Sequence, residues 1–486
     1  MEKVLKLNVK RTCIIGFAFF GILLLWQIYD SWCPTFLTEL FGKAMYGEAK
    51  WLSVRDFKNA KEVLNVQYLV GIMMALDNLA ALILLPIFGT LSDKTNTRIG
   101  KRMPFILIGT FISAIAFPFI PVLFHYNNLI GTISVMAIVV CSMMMYRNPA
   151  VALMPDLTPK PLRSKANGII NIMGYMGGLF ATITGIVFSL SQYLRGSKGE
   201  DGLLHPNWAT GNIWAIEVPF LVASILMVIS ALFLFIKIKE NPIKEEMKEE
   251  MEIGEKQAEV IDCVNDDAPM TKANKRMLIL ILFAEFFWFM SENGIGTFMG
   301  NYTIYYLEAD SGSNMINTII GGVGSVLGFA LGGYIAAKIG RKWTVIGGLG
   351  ITLLSYLIWM IASFTFLKGV AGNGSFPFII YIIWLIKGFG MSLVHINSFP
   401  MVVELCSSKK IGKFTGLYYA SSMAAQTITP IALGALLLIP NFGFDFLPVY
   451  ALAFITISFI IFLFITNVKS KKTTFAKGLE AFDTED

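Results

Sequence analysis

The sequence is poor in the groups from which catalytic centres are built. Charged residues make up only 15% of its 486 positions. Five cysteines, Cys13, Cys33, Cys141, Cys263 and Cys406, include no Cys-x-x-Cys pair and fall mostly in or beside apolar stretches, so neither a disulfide nor a metal site is expected. There is no glycine-rich phosphate loop ahead of a helix and no nucleophile with a base at motif spacing. That argues against an enzyme, and no cofactor is expected. The net charge of +6 is spread over loops and not gathered with aromatics on one face, which gives no case for nucleic acid.

What the chain has in excess is apolar length. With 55% hydrophobic and 13% aromatic residues and a mean hydropathy of +0.64, it reads as a polytopic membrane protein. Lys3, Lys6, Lys10 and Arg11 before an apolar run imitate a signal peptide, yet the run continues through Trp26-Gln27-Ile28-Tyr29 without a small-residue cleavage site, so it is read as the first membrane helix. Apolar segments fall near 13–38, 66–91, 103–124, 129–154, 166–193, 212–237, 277–304, 314–337, 343–367, 376–401, 413–438 and 446–467. Basic residues mark alternate loops: the N-terminus, 92–102, Lys160 to Lys165, Lys338 to Lys342, Lys409 to Lys413 and Lys469 to Lys472. Under the positive-inside bias both termini are cytoplasmic, in a multi-pass protein of the plasma membrane. Gly42 to Asn65 is expected to be an external amphipathic segment lying on the surface.

A Glu- and Lys-rich run, NPIKEEMKEEMEIGEK, followed by Asn265-Asp266-Asp267, breaks the chain at its midpoint. It divides the chain into an N-terminal half (1–237), a cytoplasmic linker (238–275) and a C-terminal half (276–486). The halves carry matching signatures. Trp26-x-x-x-Asp30-x4-Thr35-Phe36 corresponds to Trp288-x-x-x-Glu292-x4-Thr297-Phe298, and Arg98-Ile99-Gly100-Lys101-Arg102 to Lys338-Ile339-Gly340-Arg341-Lys342. Arg147, Asp156-Leu157, Lys165 and Gly168 correspond to His395, Glu404-Leu405, Lys413 and Gly416. These matches predict an all-α membrane protein of twelve transmembrane helices in two parallel six-helix repeats.

Ionisable residues inside membrane segments each cost roughly 3 kcal/mol or more, so they are usually directed into a bundle or a wet cavity. The deepest are Asp77, Arg147, Glu285, Glu292 and Lys387, with Asp30 and His395 nearer segment ends. Asp77 and Arg147 lie at similar depth and are expected to pair, as are Lys387 and Glu285; either pair has a purely structural alternative. Asp156 and Glu404, just past helix ends, are read as cytoplasmic gate or bracing residues together with Asp93, Arg98, Lys101, Arg102, Arg163 and Arg341. Trp26, Gln27, Asp30, Tyr175, Trp288, Glu292, Asn397, Tyr418 and Gln426 are expected to line a substrate cavity, where rings cover sugar C–H faces and polar groups meet hydroxyls. Helix packing through polar and small side chains is the competing account.

The hairpin Ser92-Asp93-Lys94 to Gly100-Lys101-Arg102-Met103-Pro104-Phe105 resembles the loop between the second and third helices of major facilitator transporters. It is most similar to the glycoside–pentoside–hexuronide:cation symporters, in their sucrose-transporter branch. Met103 replaces a third arginine of that pattern, and lysines stand for arginines at 94 and 101. Arg147-Asn148-Pro149 to Asp156-Leu157 is similar to the helix 4 to 5 region, although Val151 occupies the place of the family's arginine. The resemblance implies the major facilitator fold and sugar uptake coupled to H+, with Na+ as the other coupling ion. The expectation is a monomeric sugar–proton symporter working by alternating access, with Asp77, Arg147 and Glu292 as coupling residues; the alternative is an exporter of drugs or other organic solutes.

Overall fold

The computed structural model describes residues 5–198, 204–205, 208–263, 271–369, 376–405 and 411–465. Twelve long helices follow in order: α1 Val9–Tyr46, α2 Lys61–Lys94, α3 Met103–Ala116, α4 Leu129–Asp156, α5 Arg163–Val187, α6 Ile213–Lys237, α7 Lys272–Asn301, α8 Ser311–Ile339, α9 Arg341–Phe364, α10 Phe378–Glu404, α11 Ile411–Leu436 and α12 Leu447–Leu463. Among the described residues, eleven segments are long and apolar enough to cross a membrane; α11 is the long helix outside that group. Its polar run, from Thr415 through Tyr418, Tyr419, Ser421 and Ser422 to Gln426, dilutes its hydropathy.

Side-chain caps set several helix starts. Asn8 accepts from Arg11 N at 3.0 Å, Asn128 from Gly131 N at 2.9 Å, Thr271 from Asn274 N at 3.1 Å and Asp310 from Gly312 N at 2.8 Å. Each satisfies a helix N–H that has no partner within its own helix.

The helix pairings of one half recur in the other. In the first, α1 packs on α5 and α6, α2 on α4, and α3 on α4 and α6; in the second, α7 packs on α11 and α12, α8 on α10, and α9 on α10 and α12. Adding six to each number of the first set gives the second, so the chain holds two copies of one bundle. Between them α1 meets α7, α2 meets α11 and α5 meets α8. Glycines permit the closest approaches: a Cβ on Gly71 of α2 would overlap the Pro430 carbonyl of α11, and one on Gly324 of α8 that of Leu385 on α10.

Two expectations change here. The helix α1 runs to Tyr46 instead of ending near 38, so Asp30 stands well inside it. The stretch 42–65 is shorter as a separate segment than expected: it holds the end of α1, a short helix Glu48–Val54 that buries Trp51 and leaves Lys50, Leu52 and Ser53 exposed, and the start of α2. The linker carries helices Glu240–Glu246 and Lys248–Cys263, and Glu240 is fully buried. A two-residue antiparallel ladder, Ser197–Lys198 with Leu204–His205, is an addition the sequence reading did not contain.

Candidate functional site

Two adjoining cavities lie between the halves. One, of about 390 Å³, is lined by Gln27, Asp30, Ser31 and Pro34 of α1, by Glu292, Ile295, Gly296, Thr297, Met299 and Gly300 of α7, by Asn314, Thr318, Gly321, Gly322 and Ser325 of α8, and by Trp384, Lys387 and Gly388 of α10. The other, of about 310 Å³, is lined by Leu23, Trp26 and Asp30, by Met74, Asp77 and Asn78 of α2, by Arg147 of α4, by Asn293, Gly296 and Thr297, and by Gln426 of α11. Asp30, Gly296 and Thr297 belong to both walls, so the repeat-related helices α1 and α7 form the partition.

Five ionisable side chains face this space. Glu292 accepts from the Lys387 ammonium with one carboxylate oxygen and from the Tyr356 hydroxyl of α9 with the other. Asp77 accepts from Tyr29 Oη at 2.8 Å. Asp30 is exposed to the cavities, and Arg147 is half-buried. If all five are ionised the cavity holds three negative and two positive charges, one carboxylate in excess of the cations.

Two expected ion pairs are corrected. Asp77 and Arg147 line the same cavity, but among the described residues no ion pair joins them, and the Asp77 carboxylate accepts from the Tyr29 hydroxyl of α1. Lys387 pairs with Glu292 and not with Glu285, which is fully buried two turns earlier on α7.

The expected substrate residues divide. Trp26, Gln27, Asp30, Glu292 and Gln426 line the cavities. Trp26 stands edge-on to Tyr29 with ring centroids 5.6 Å apart. Trp288, its repeat mate, is fully buried and packs against Phe462 of α12 and His395 of α10; α7 therefore presents its carboxylate to the cavity and its tryptophan to the core. Tyr418 is buried against Ser398 Oγ at 2.8 Å, and Asn397 donates to Leu393 O in its own helix at 2.9 Å. Tyr175 is exposed on α5 and lines neither cavity. Sequence reasoning missed Tyr356, which carries no motif, and missed Asn78, whose amide donates across the interface to Gln426 O at 3.1 Å.

At the end of the bundle near the termini, Arg102 gathers much of the expected gate. It bonds Asp156 at 2.9 Å, and also Asp93 and Ser92, while Lys101 reaches Asp156 at 3.0 Å. The Glu240 carboxylate of the linker caps α3, accepting from Arg102 N at 3.0 Å and Met103 N at 3.4 Å. Arg163 closes the end of α4 through the Pro155 and Thr158 carbonyls, at 2.9 and 3.1 Å. Burial pulls its guanidinium below the ordinary value, against the opposing influence of Asp156 and Glu255. Arg98 is exposed, outside the cluster. Arg341 opens α9 in the other half, and the Glu404 side chain lies outside the described residues. This cluster therefore knits one half together.

The Major Facilitator Superfamily model matches the chain over residues 15–367 and again over 281–483. Among solved structures, the inward-open xylose transporter XylE from E. coli superposes with a TM-score of 0.61 at 15% identity, over 98% of each chain. A mutant of the nucleoside transporter NupG gives 0.59 at 13%, over 94% of this chain and 99% of its own. A bacterial homologue of the iron transporter ferroportin in its inward-facing state gives 0.62 at 12%, with the same coverages. At such identities the likeness is one of fold. No curated protein matches by sequence. A repeated six-helix bundle enclosing a charged cavity between its halves, together with the family match over most of the chain, makes this a multi-pass membrane transporter and not an enzyme: the chain belongs to the Major Facilitator Superfamily.

Proposed function

We propose that the protein is a secondary active symporter that moves a sugar or glycoside with a proton by alternating access, in the plasma membrane with both termini cytoplasmic. The observation that carries the reading is the lining of the paired cavities. Gln27, Asn78, Asn293, Asn314, Thr318, Ser325 and Gln426 offer amides and hydroxyls around Trp26 and Trp384, a composition suited to a hydroxylated solute and less to a lipophilic one. Asp30 and Glu292, facing from opposite halves, are placed to accept substrate hydroxyls by charge-assisted hydrogen bonds. Asp77 carries the coupling proton; Tyr29 holds its carboxylate in this state, and Arg147 is the movable countercharge on the same cavity wall. The excess carboxylate gives the site room for one proton or one Na+ without a change in its other pairs.

Uptake of a sugar panel into proteoliposomes tests this. Accumulation abolished by collapsing the proton gradient is the expected result. Accumulation that follows a Na+ gradient instead changes the coupling ion, and transport of lipophilic cations with no sugar uptake rejects the sugar.

A further inference from the structure

The stretch from Gly47 to Ala60, between α1 and α2, is fastened to both halves at the end of the bundle away from the termini. Its anchor is Glu39 near the end of α1, only 1% exposed. Glu39 accepts from Trp51 Nε1 at 2.8 Å and Arg55 Nη1 at 2.6 Å, both in this stretch, and from Tyr305 Oη of the C-terminal half at 2.7 Å. Arg55 also donates to Leu194 O at 2.9 Å. Arg195 pairs with Asp56 at 2.8 Å and donates to Ile304 O at 2.6 Å. Farther on, Asn59 spans the interface with both amide atoms: Nδ2 donates to Asp445 Oδ1 and Oδ1 accepts from Phe444 N, each at 2.9 Å. Beneath, Asn301 of α7 binds Thr35, Thr38 and Gln67 of the other half at 2.8 to 2.9 Å.

The chemistry suits a closure that must reopen. A buried carboxylate is tolerated only when its lone pairs are met, and here three donors meet it, one of them cationic. Burial acts to lower the Arg55 guanidinium, but Glu39, Tyr305 and Asp56 outweigh it and hold it above its ordinary value. The bonds across the interface run through side chains to side chains or to single backbone groups, so water can take each partner when the halves part. Trp51 lies against Gly42, where a Cβ would overlap the indole, and this seats the short helix on the end of α1.

We propose that residues 47–60 form a strap that seals the central cavity on the face away from the termini, with Glu39 as its hub and Asn59 as its far staple, and that the strap releases when the cavity opens to that face. The inference rests on membership of a transporter family and not on which solute is carried.

The test uses the full chain in proteoliposomes, with its five cysteines replaced and Thr297→Cys, on the wall shared by both cavities, as reporter. A membrane-impermeant maleimide is applied to the face away from the termini. Glu39→Gln and Asn59→Ala, the second of which removes two hydrogen bonds, are each expected to raise the labelling rate at least about five-fold, the shift that the loss of one net hydrogen bond gives. Equal rates in both variants and the parent overturn the proposal. In the second arm Asn59→Cys with Asp445→Cys, once oxidised, is expected to suppress labelling at position 297, scored by peptide mapping because the reduced thiols at 59 and 445 take maleimide themselves, and reduction to restore it. Labelling as fast in the oxidised as in the reduced protein overturns the strap even if Glu39→Gln fails to fold. Neither arm uses a substrate, so a failed sugar assay leaves the result standing.

Discussion

Tyr29 of α1 donates its hydroxyl to the Asp77 carboxylate of α2 at 2.8 Å, and this bond stands where a guanidinium from α4 was expected. Tyr29 is fully buried while Asp77 is half-buried on the cavity wall, so the bond ties a cavity carboxylate to the core of the N-terminal half. In the other half Tyr356 of α9 does the same for Glu292 of α7. Each half thus sets a phenol against a cavity carboxylate, although the two tyrosines sit on helices that the repeat does not relate.

Asp77→Asn is expected to keep sugar counterflow and to lose uphill uptake, because exchange needs only the moving cavity while accumulation needs a site that binds and releases the proton. The measurement is counterflow beside gradient-driven uptake in the same proteoliposomes. A variant that still accumulates sugar makes Asp77 a structural partner of Tyr29.

Truncating the two repeat-related tryptophans is expected to give different losses. Trp26 lines the cavity, so Trp26→Ala should weaken sugar affinity in detergent while the melting temperature changes little. Trp288 is buried among His395, Phe289 and Phe462, so Trp288→Ala should cost about 3–5 kcal/mol of stability and leave the affinity of the folded fraction unchanged. Equal affinity losses in both would return Trp288 to the substrate site.

Eleven of the twelve long helices were legible because a spanning helix must be long and apolar, and the repeat because Trp-x-x-x-acid occurs once in each half. What spacing cannot choose is a partner. Glu285 and Glu292 lie seven residues apart on one face of α7, and only the placement of α10 decides that Lys387 meets the second. The face of Trp288 was likewise set by α12, which no pattern within α7 records. The end of α1 was misjudged because Glu39 and Lys43 interrupt its apolar run. The helix continues since Trp51, Arg55 and Tyr305 satisfy the carboxylate that composition alone counts as a penalty.

The Lys387–Glu292 pair should behave as a unit. Both side chains are largely buried, at 16% and 21% exposure, so removing one leaves a charge that is partly desolvated and without its partner. Lys387→Ala is expected to lower stability by about 2–3 kcal/mol, and Lys387→Ala with Glu292→Gln to recover more than half of that. Thermal unfolding in detergent measures it. Additive losses in the double variant would mean that the two side chains contribute separately, Glu292 chiefly through Tyr356.

The linker's hold on the basic hairpin predicts the effect of a single methyl group. Gly100 lies at φ +116, a conformation that side chains resist, and a Cβ there would overlap the Glu240 carboxylate. That carboxylate caps the first N–H groups of α3 and is held by Lys244 at 2.7 Å through its other oxygen. Displacing it should cost about 1 kcal/mol for the cap, with backbone strain at position 100 adding about as much again. It should also shift Arg102, whose guanidinium binds Asp93 and Asp156. Gly100→Ala is therefore expected to destabilise by about 2 kcal/mol and Glu240→Ala by about 1 kcal/mol, with Gly100→Ala/Glu240→Ala costing less than their sum, since the clash and the lost cap share one carboxylate. Thermal unfolding of the three variants decides it: strict additivity would show that Glu240 does not hold the hairpin and that the strain at Gly100 lies in the backbone alone.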